Sequence, residues 1–441
     1  MDLSFVLSKC LVLILFKSLL NYRLTKLGPV MNNVNVSSEI SPIKTVIIHT
    51  PGMELERMTP EASMELLYDD ILQLSSAREQ HAQLKQVLQK VCQPLEVSDL
   101  LMDILEDEKI KVSLVHKLCR QLDALEMENF LISLSADALA EQLILGTELK
   151  RDTLQRFLST RNYALPPLPN FFYTRDSAMV VNNRVFIGNM ANRIRIAEAI
   201  IMSHIFRFHP HFLCEDFLVD ASEQTMPHAT FEGGDILILQ EDILLIGMSE
   251  RTSARGIDYL IEEFKSRHKI MHVFVVILPK IRATIHLDMV FTMIDHDKAV
   301  VFPPLLLAKD AVDVIHINIS HPSKPKLQRY PYIFDALRTV NINLEPIKCG
   351  GQNELYQKRE QWQAGTNFFT ISPGKIIGYG MNYHTYDELA KAGIPRVEAA
   401  DAVTGRVDLD AMDRYAIAIS GNELSRGGGG CRCMTMPALR T

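Results

Sequence analysis

Four short segments of this 441-residue chain are richer in polar and glycine residues than the β-prone sequence around them. They are Asn170-Phe171-Phe172-Tyr173-Thr174-Arg175-Asp176, Phe231-Glu232-Gly233-Gly234-Asp235, His286-Leu287-Asp288, and a glycine run at 427–430 that follows Arg426 and ends in Cys431-Arg432-Cys433-Met434. Together they hold what covalent catalysis on a cationic carbon needs. A cysteine thiolate is a strong nucleophile, a histidine moves protons near neutral pH, and carboxylates grip a cation by charge-assisted hydrogen bonds.

Each segment also has a plainer reading. His286 and Asp288, two apart on an expected strand, would leave the same face; they suit a base beside a carboxylate, or a surface pair at a strand end. A metal site is the weaker reading, because no second His or Cys cluster has ligand spacing. Glu232 to Asp235 reads as a turn whose glycines take positive φ. Arg175-Asp176 reads as a structural ion pair, and Arg195 and Arg251, taken singly, as solvated. The glycine run lacks the Lys-Ser/Thr ending of a phosphate loop. It is either a flexible linker or a backbone that brings a thiol close to a ligand, and Cys431 with Cys433 could form a redox pair.

The elements that must position these residues recur. Strand pairs at 174–181 and 184–187, 236–239 and 243–247, 288–293 and 299–302, and 368–371 and 375–379 flank hairpin residues such as Asn182-Asn183 and Ser372-Pro373-Gly374. Helical stretches follow near Arg195, over 253–264 and near 386–392. Asp176, Asp235 and Asp288 sit near the start of the first strand of three units. That pattern predicts degenerate repeats around a common centre. A strand at 45–49 ends at Pro51-Gly52. Residues 72–154 change to a 3.6-residue period, with Ser135 as an N-cap and Gly146 as a stop, and read as an inserted helical block.

Composition sets the class. Hydrophobic residues make up 47% and charged residues 22%, with a formal net charge of −7. This fits an ordered globular protein, and without a basic stripe it excludes a nucleic-acid partner. Seven scattered cysteines argue against a disulfide framework and for a reducing, cytoplasmic setting. The apolar run at 10–16 falls far short of the ~20 residues needed to span a bilayer, so a membrane partner is not expected. Residues 1–40 are expected to lie outside the core.

In this order and at these separations, the four segments resemble the arginine deiminase family. The match is Thr-Arg-Asp, Glu-Gly-Gly-Asp, His-Leu-Asp-x-Val-Phe and a glycine-rich loop ending in Cys-Met. It is supported by Leu67-Tyr68-Asp69-Asp70 and Arg359-Glu360-Gln361-Trp362, and it runs from about residue 41 to the C-terminus. The resemblance implies an α/β fold of the pentein type, a pseudo-fivefold ββαβ propeller over 41–71 and 155–441 with a helical bundle at 72–154. It implies hydrolysis of free L-arginine to L-citrulline and ammonia with no metal or organic cofactor. Cys433 would be the nucleophile and His286 the proton carrier. Asp176 and Asp288 would grip the guanidinium, and Glu232 would charge His286. Arg195 and Arg251 would bind the α-carboxylate, with Asn170 a further contact. Water is the second reactant, and a homo-oligomer is compatible with the reading. Rival readings on the same fold are agmatine deiminase, dimethylarginine hydrolase and amidinotransferase, or a weakened arginine-binding relative. One departure stands out: many members carry an arginine five residues before the nucleophile, where this chain has Gly428.

Overall fold

The computed structural model describes residues 34–441 apart from 60–62, 64, 65, 69, 160, 213, 215, 224, 225, 268 and 322. The apolar run at 10–16 lies outside the described residues.

Strand β1 (Ile43–Ile48) runs parallel to β2 (Gln93–Glu96), and helix Leu74–Val91 connects them. After the helices that follow β2, β3 (Thr147–Glu148) and β4 (Tyr163–Leu165) form a short antiparallel ribbon. Three-stranded units then succeed one another. In the first, β5 (Ala178–Val181) is antiparallel to β6 (Arg184–Ile187), which is parallel to β7 (Phe217–Asp220). The next has β8 (Ile236–Gln240), β9 (Ile243–Met248) and β10 (His272–Ile277) in the same relation, and then β11 (Phe291–Asp295) and β12 (Lys298–Val301). The extra strands β13 (Val314–Asn318) and β14 (Lys326–Tyr330) extend the β10 edge, and β15 (Glu345–Lys348) completes the β12 unit. Finally β16 (Phe369–Ser372) pairs with β17 (Lys375–Tyr379), and β18 (Arg396–Glu398) and β19 (Tyr415–Ile419) fill out that sheet. The last strand, β20 (Met436–Arg440), returns to lie antiparallel to β1. Among the described residues the result, besides the β3–β4 ribbon, is five sheets, each with one edge strand (β5, β8, β11, β16, β20) antiparallel to its neighbour and a third strand parallel.

Strands β8 and β9 are buried on both faces apart from Gln240 at the hairpin and the half-buried Met248. Their near-continuous Ile and Leu runs are the composition such double burial selects. Asn182 (φ 54°) and Gly374 (φ 73°) make the left-handed corners of two hairpins, as the turn residues predict.

Four features differ from the sequence reading. Helix Leu74–Val91 is not part of a separate bundle beginning at 72. It is the crossover between β1 and β2 and packs on helix Ala399–Thr404. A parallel pair requires such a crossover, and the four-residue strand β2 was too short to signal it. The helices after β2, from Val97–Leu105 to Ala136–Leu145, pack together and on helix Ile196–Phe208; Ser135 and Gly146 (φ 77°) do flank the last of them.

Residues 34–40 are also not outside the core. Val34, Val36, Glu39 and Ile40 are buried. Val36 exchanges backbone hydrogen bonds of 2.7 Å with Asn182, and Glu39 donates from its backbone to Ile238 at 2.8 Å. A segment this short carries too few apolar positions to show a period.

Third, residues 174–177 and 287–289 are single helical turns, not strand, so His286 and Asp288 do not share a strand face. Fourth, Gly233 and Gly234 do not have positive φ. They are glycine because a Cβ would sit 2.1 Å from the Arg175 carbonyl oxygen or 2.4 Å from His286 Nδ1. Among the described residues no helix is long and apolar enough to cross a membrane.

Candidate active site

Each of the five edge strands is preceded by a tight turn: Thr174–Ser177, Gly233–Asp235, Leu287–Met289, the segment at 366–368 and the segment at 431–435. The second touches both the first and the third. Corresponding positions in these turns carry Asp176, Asp235, Asp288, Asn367 and Cys433. Five remote stretches of chain therefore deliver polar side chains to one centre, and the repeat explains how residues so far apart in sequence meet.

His286 has a carboxylate facing each ring nitrogen. Nε2 lies 3.0 Å from Glu232 Oε2 and Nδ1 3.6 Å from Asp176 Oδ1. Burial opposes the imidazolium, but the two carboxylates outweigh it and hold the pKa up at about 9. Burial likewise opposes ionisation of Glu232, yet Arg251 and the His286 hydrogen bond bring it down to about 2. Asp235 lies deeper. Burial lifts it to about 7, although it accepts from Ser249 Oγ at 2.6 Å and from the Leu287 backbone at 2.9 Å.

The sulfur of Cys433 is 3.2 Å from Asn367 Nδ2 and 3.6 Å from Asp288 Oδ2. Burial first, then the charges of Asp288 and Asp176, push its pKa well above the usual thiol range. Both effects favour the thiol over the thiolate. Asn367 also fixes the loop by accepting from the backbone of Arg432 (2.9 Å) and Cys433 (3.2 Å). Arg432 spans from Asp288 Oδ2 (2.8 Å) to Glu39 (3.0 and 3.1 Å). Asp288 Oδ1 and Asp176 Oδ1 are buried and accept no hydrogen bond from the described residues. Two such orphan acceptors beside a sulfur would cost several kcal/mol unless a ligand supplies donors.

The two arginines differ. Arg195 is engaged with Asp176 Oδ2 (2.6 Å), with Glu198 (2.8 Å), and with the Asn170 carbonyl at 3.3 Å. Arg251 lies 3.7 Å from Glu232 Oε1, and its Nε and Nη1 make no hydrogen bond with the described residues. Asn170 itself donates to the Leu66 carbonyl at 2.7 Å. Asp176, Arg195, Arg251, His286, Cys433 and Asn170 all line one closed cleft of about 20 Å³, room for about one water. A much larger concavity of about 690 Å³ near Leu122 and Arg193 lacks Cys433 and His286, so size does not identify the site here.

The sequence pattern of arginine deiminase matches residues 64–440. The arginine deiminase of Listeria innocua serovar 6a is 32% identical over 427 residues, 93% of this chain and 98% of that protein. That of Bacillus cytotoxicus is also 32% identical, over 92% and 98%. The chain belongs to the arginine deiminase family. Its fold is shared with SxtG, an amidinotransferase from Microseira wollei in the saxitoxin biosynthetic pathway, at a TM-score of 0.51 and 12% identity, over 92% of this chain and 97% of that one.

Of the expected site residues, Asn170, Asp176, Arg195, Arg251, His286 and Cys433 line the cleft, while Glu232 touches His286 and Asp288 touches Cys433. Asp176 and Arg175 do not pair with each other: Asp176 faces Arg195, while Arg175 donates to the Thr435 carbonyl at 2.9 Å and approaches Glu39. Cys431 is a free, buried core thiol, not half of a disulfide. The glycine run is neither a linker nor a phosphate loop. A Cβ at 427 or 429 would meet the Tyr173 ring at 2.3–2.5 Å, so the run wraps that ring.

Sequence reasoning missed Glu39, Glu198, Gln361, Asn367 and Arg432 as parts of the site. Gln361 donates to the carbonyls of Ala283 (2.5 Å) and Met289 (3.0 Å), bracing the turn that carries His286. A signal for Asn367 existed, because it stands at the repeat position occupied elsewhere by Asp176, Asp235 and Asp288. The ligand atoms of Asp176, Glu232 and His286 also lie within 4.8 Å of one another, a donor set with the geometry to hold a cation.

Proposed function

We propose that the protein hydrolyses L-arginine to L-citrulline and ammonia through a covalent amidino-cysteine intermediate. The observation that carries this reading is the pair Asp176 and Asp288, each with one buried oxygen that accepts no hydrogen bond from the described residues, in the site where the Cys433 sulfur lies 3.6 Å from the other Asp288 oxygen. A guanidinium offers planar N–H donors and a positive charge, which would satisfy both. Its charge would offset the carboxylates that hold the thiol protonated, so the thiol would ionise as the substrate enters.

The thiolate attacks the guanidinium carbon. His286, protonated at neutral pH, gives its proton to the departing nitrogen, and the C–N bond breaks to release ammonia. The neutral imidazole then takes a proton from water. The hydroxide adds to the same carbon, and as the C–S bond breaks the remaining O–H proton passes to the departing sulfur, freeing citrulline and restoring the thiol. Arg251, with donors to spare, would take the α-carboxylate. Arg195 would join it only by loosening its hold on Asp176. Glu232 would hold His286 charged, and Asn170 would shape the amino-acid end. The scheme uses the chain's own acids and bases, with no metal or organic cofactor. The six described cysteines are all free, which supports a cytoplasmic setting.

Incubation of purified protein with arginine, agmatine and methylated arginines tests the reading. Citrulline and ammonia from arginine, with agmatine far slower, is the expected result. Preferential release of methylamines, transfer to an added amine, or arginine binding without turnover would each overturn it.

A further inference from the structure

Asparagine stands at 367, where three other turns carry Asp176, Asp235 and Asp288. Its side chain is fully buried, and both ends of the amide are used. Oδ1 accepts from the backbone N–H groups of Arg432 at 2.9 Å and Cys433 at 3.2 Å. Nδ2 donates to the Asp288 carbonyl at 3.2 Å and to the Cys433 sulfur at 3.2 Å, with Met289 Sδ a weaker third acceptor at 3.7 Å. The two backbone donors fix which way round the amide lies, because the reversed amide would set N–H against N–H. A carboxylate only accepts. Aspartate at this position would therefore face the carbonyl and the sulfur with no donor for either.

The last glycine of the run has the same cause. A Cβ at Gly430 would lie 2.7 Å from both Cβ and Oδ1 of Asn367, so only a bare backbone lets the loop close on the amide and set the sulfur against it. Among the described residues, Nδ2 is the one side-chain N–H that hydrogen-bonds this sulfur. The other groups around it are mixed in sign. Asp288 and Asp176 oppose a thiolate, while Arg432 and the Gly430 backbone favour it. Tyr173 and Tyr379, kept neutral by burial, also lie near, and His286 lines the same cleft.

We propose that Asn367 is a catalytic residue whose Nδ2–H stabilises negative charge on the Cys433 sulfur, as the thiol ionises and again as the sulfur leaves the intermediate. This deepens the arginine reading above and rests on it for the role of Cys433. A hydrogen bond to a thiolate is charge-assisted and stronger than one to a thiol or a thioether, so the amide acts where charge builds up. No bond to the amide forms or breaks.

The test uses two variants. Asn367→Asp keeps an oxygen for the two backbone N–H groups and removes the donor; Asn367→Ala is smaller and neutral. Citrulline kcat and KM, thermal melts, and the pH dependence of Cys433 alkylation by iodoacetamide are compared with the unmodified protein, with Cys433→Ser as the alkylation background. Both variants are expected to lose about tenfold or more in kcat, with KM rising less than about threefold. Both should need a higher pH to reach the same alkylation rate. Asn367→Asp should lose progressively more as pH rises, because only a protonated carboxyl could donate.

A folded variant whose alkylation profile coincides with that of the unmodified protein overturns the proposal, whatever its kcat. So does a change confined to KM or to melting temperature, or loss of folding in both variants, each of which would make the amide a structural brace. Alkylation needs no turnover, so these outcomes leave the arginine reading intact. An unmodified protein that forms no citrulline overturns that reading and the catalytic role with it, while the alkylation profiles still decide whether the amide holds the thiolate.

Discussion

Cys433 is surrounded by charge of the wrong sign for ionisation, with Asp288 at 3.6 Å and Asp176 across the cleft, and this makes its reactivity conditional. A bare buried thiolate beside two carboxylates would be strongly disfavoured; a guanidinium between them reverses the balance. In the proposed scheme the nucleophile would therefore be armed by its substrate and quiet toward other electrophiles. Cys433→Ser should abolish citrulline formation with little change in melting temperature. Cys431→Ser, at a core position away from the reacting carbon, should keep most activity at some cost in stability. Comparable loss of activity in both would show that the wrong thiol has been chosen.

His286 supplies a pH signature. Its imidazolium is held to about pH 9 by Asp176 and Glu232, so the rate limb that needs its proton should fall near that value. Glu232→Gln removes one supporting charge, lowers the imidazole pKa, and should move the limb down by about one pH unit or more. Linkage gives a second readout. A group raised from 6.5 to about 9 stabilises the fold fully below about pH 6.5 and loses that contribution as pH rises through about 9. Melting temperature should fall across that window, and fall less in the variant. A pH–rate profile with an unmoved limb would count against His286 as the acid.

At the scale of elements, the design unit is a tight turn leading into an edge strand, used five times around a centre. The strand pairs were legible because alternating β-prone runs and turn residues are local signals; the corners at Asn182 and Gly374 needed nothing beyond the chain itself. The turns before the strands were not legible. Residues 174–177 and 286–289 are short and run straight into β-prone sequence, so nothing local marks where the curl ends and the strand begins.

The glycines of the second turn show the same limit. Their requirement is lateral, set by Arg175 and His286 from other blades, and no local reading exposes it. Gly234→Ala would press a Cβ into the His286 ring, to 2.4 Å from Nδ1. A cost of about 1–3 kcal/mol in stability is expected, the range for overpacking. Activity should drop more steeply than stability, because the displaced ring is the proton carrier. Denaturant melts with parallel turnover assays separate the two; full activity in a folded Gly234→Ala protein would show that the ring tolerates displacement.

Across the whole molecule, buried charge ties the ends of the chain to the centre. Glu39 takes two hydrogen bonds from Arg432, which in turn holds Asp288, and Arg175 and Arg440 lie close by, so Glu39 stays ionised with a pKa near 2 despite its burial. Glu39→Ala would leave Arg432 buried with half its partners, an expected loss of about 3–5 kcal/mol. Chemical denaturation should show it directly. A loss below about 1 kcal/mol would mean that Arg432 finds another partner. The sequence held no sign of this tie, because a single glutamate in a polar stretch looks like surface until its partner, nearly the length of the chain away, is known.

The pairing of β1 with β20 carries a consequence in time. During synthesis β1 is among the first strands to emerge and β20 among the last, so the first sheet keeps an open edge while every other blade is made. Cys433 arrives only with the strand that shuts that edge. A nascent chain therefore has no reactive thiol to expose until it has a cleft in which to enclose it, and a chain broken off before that point lacks both. Contacts between such distant partners form slowly. Closure of that sheet and assembly of the proposed site therefore depend on the same strand.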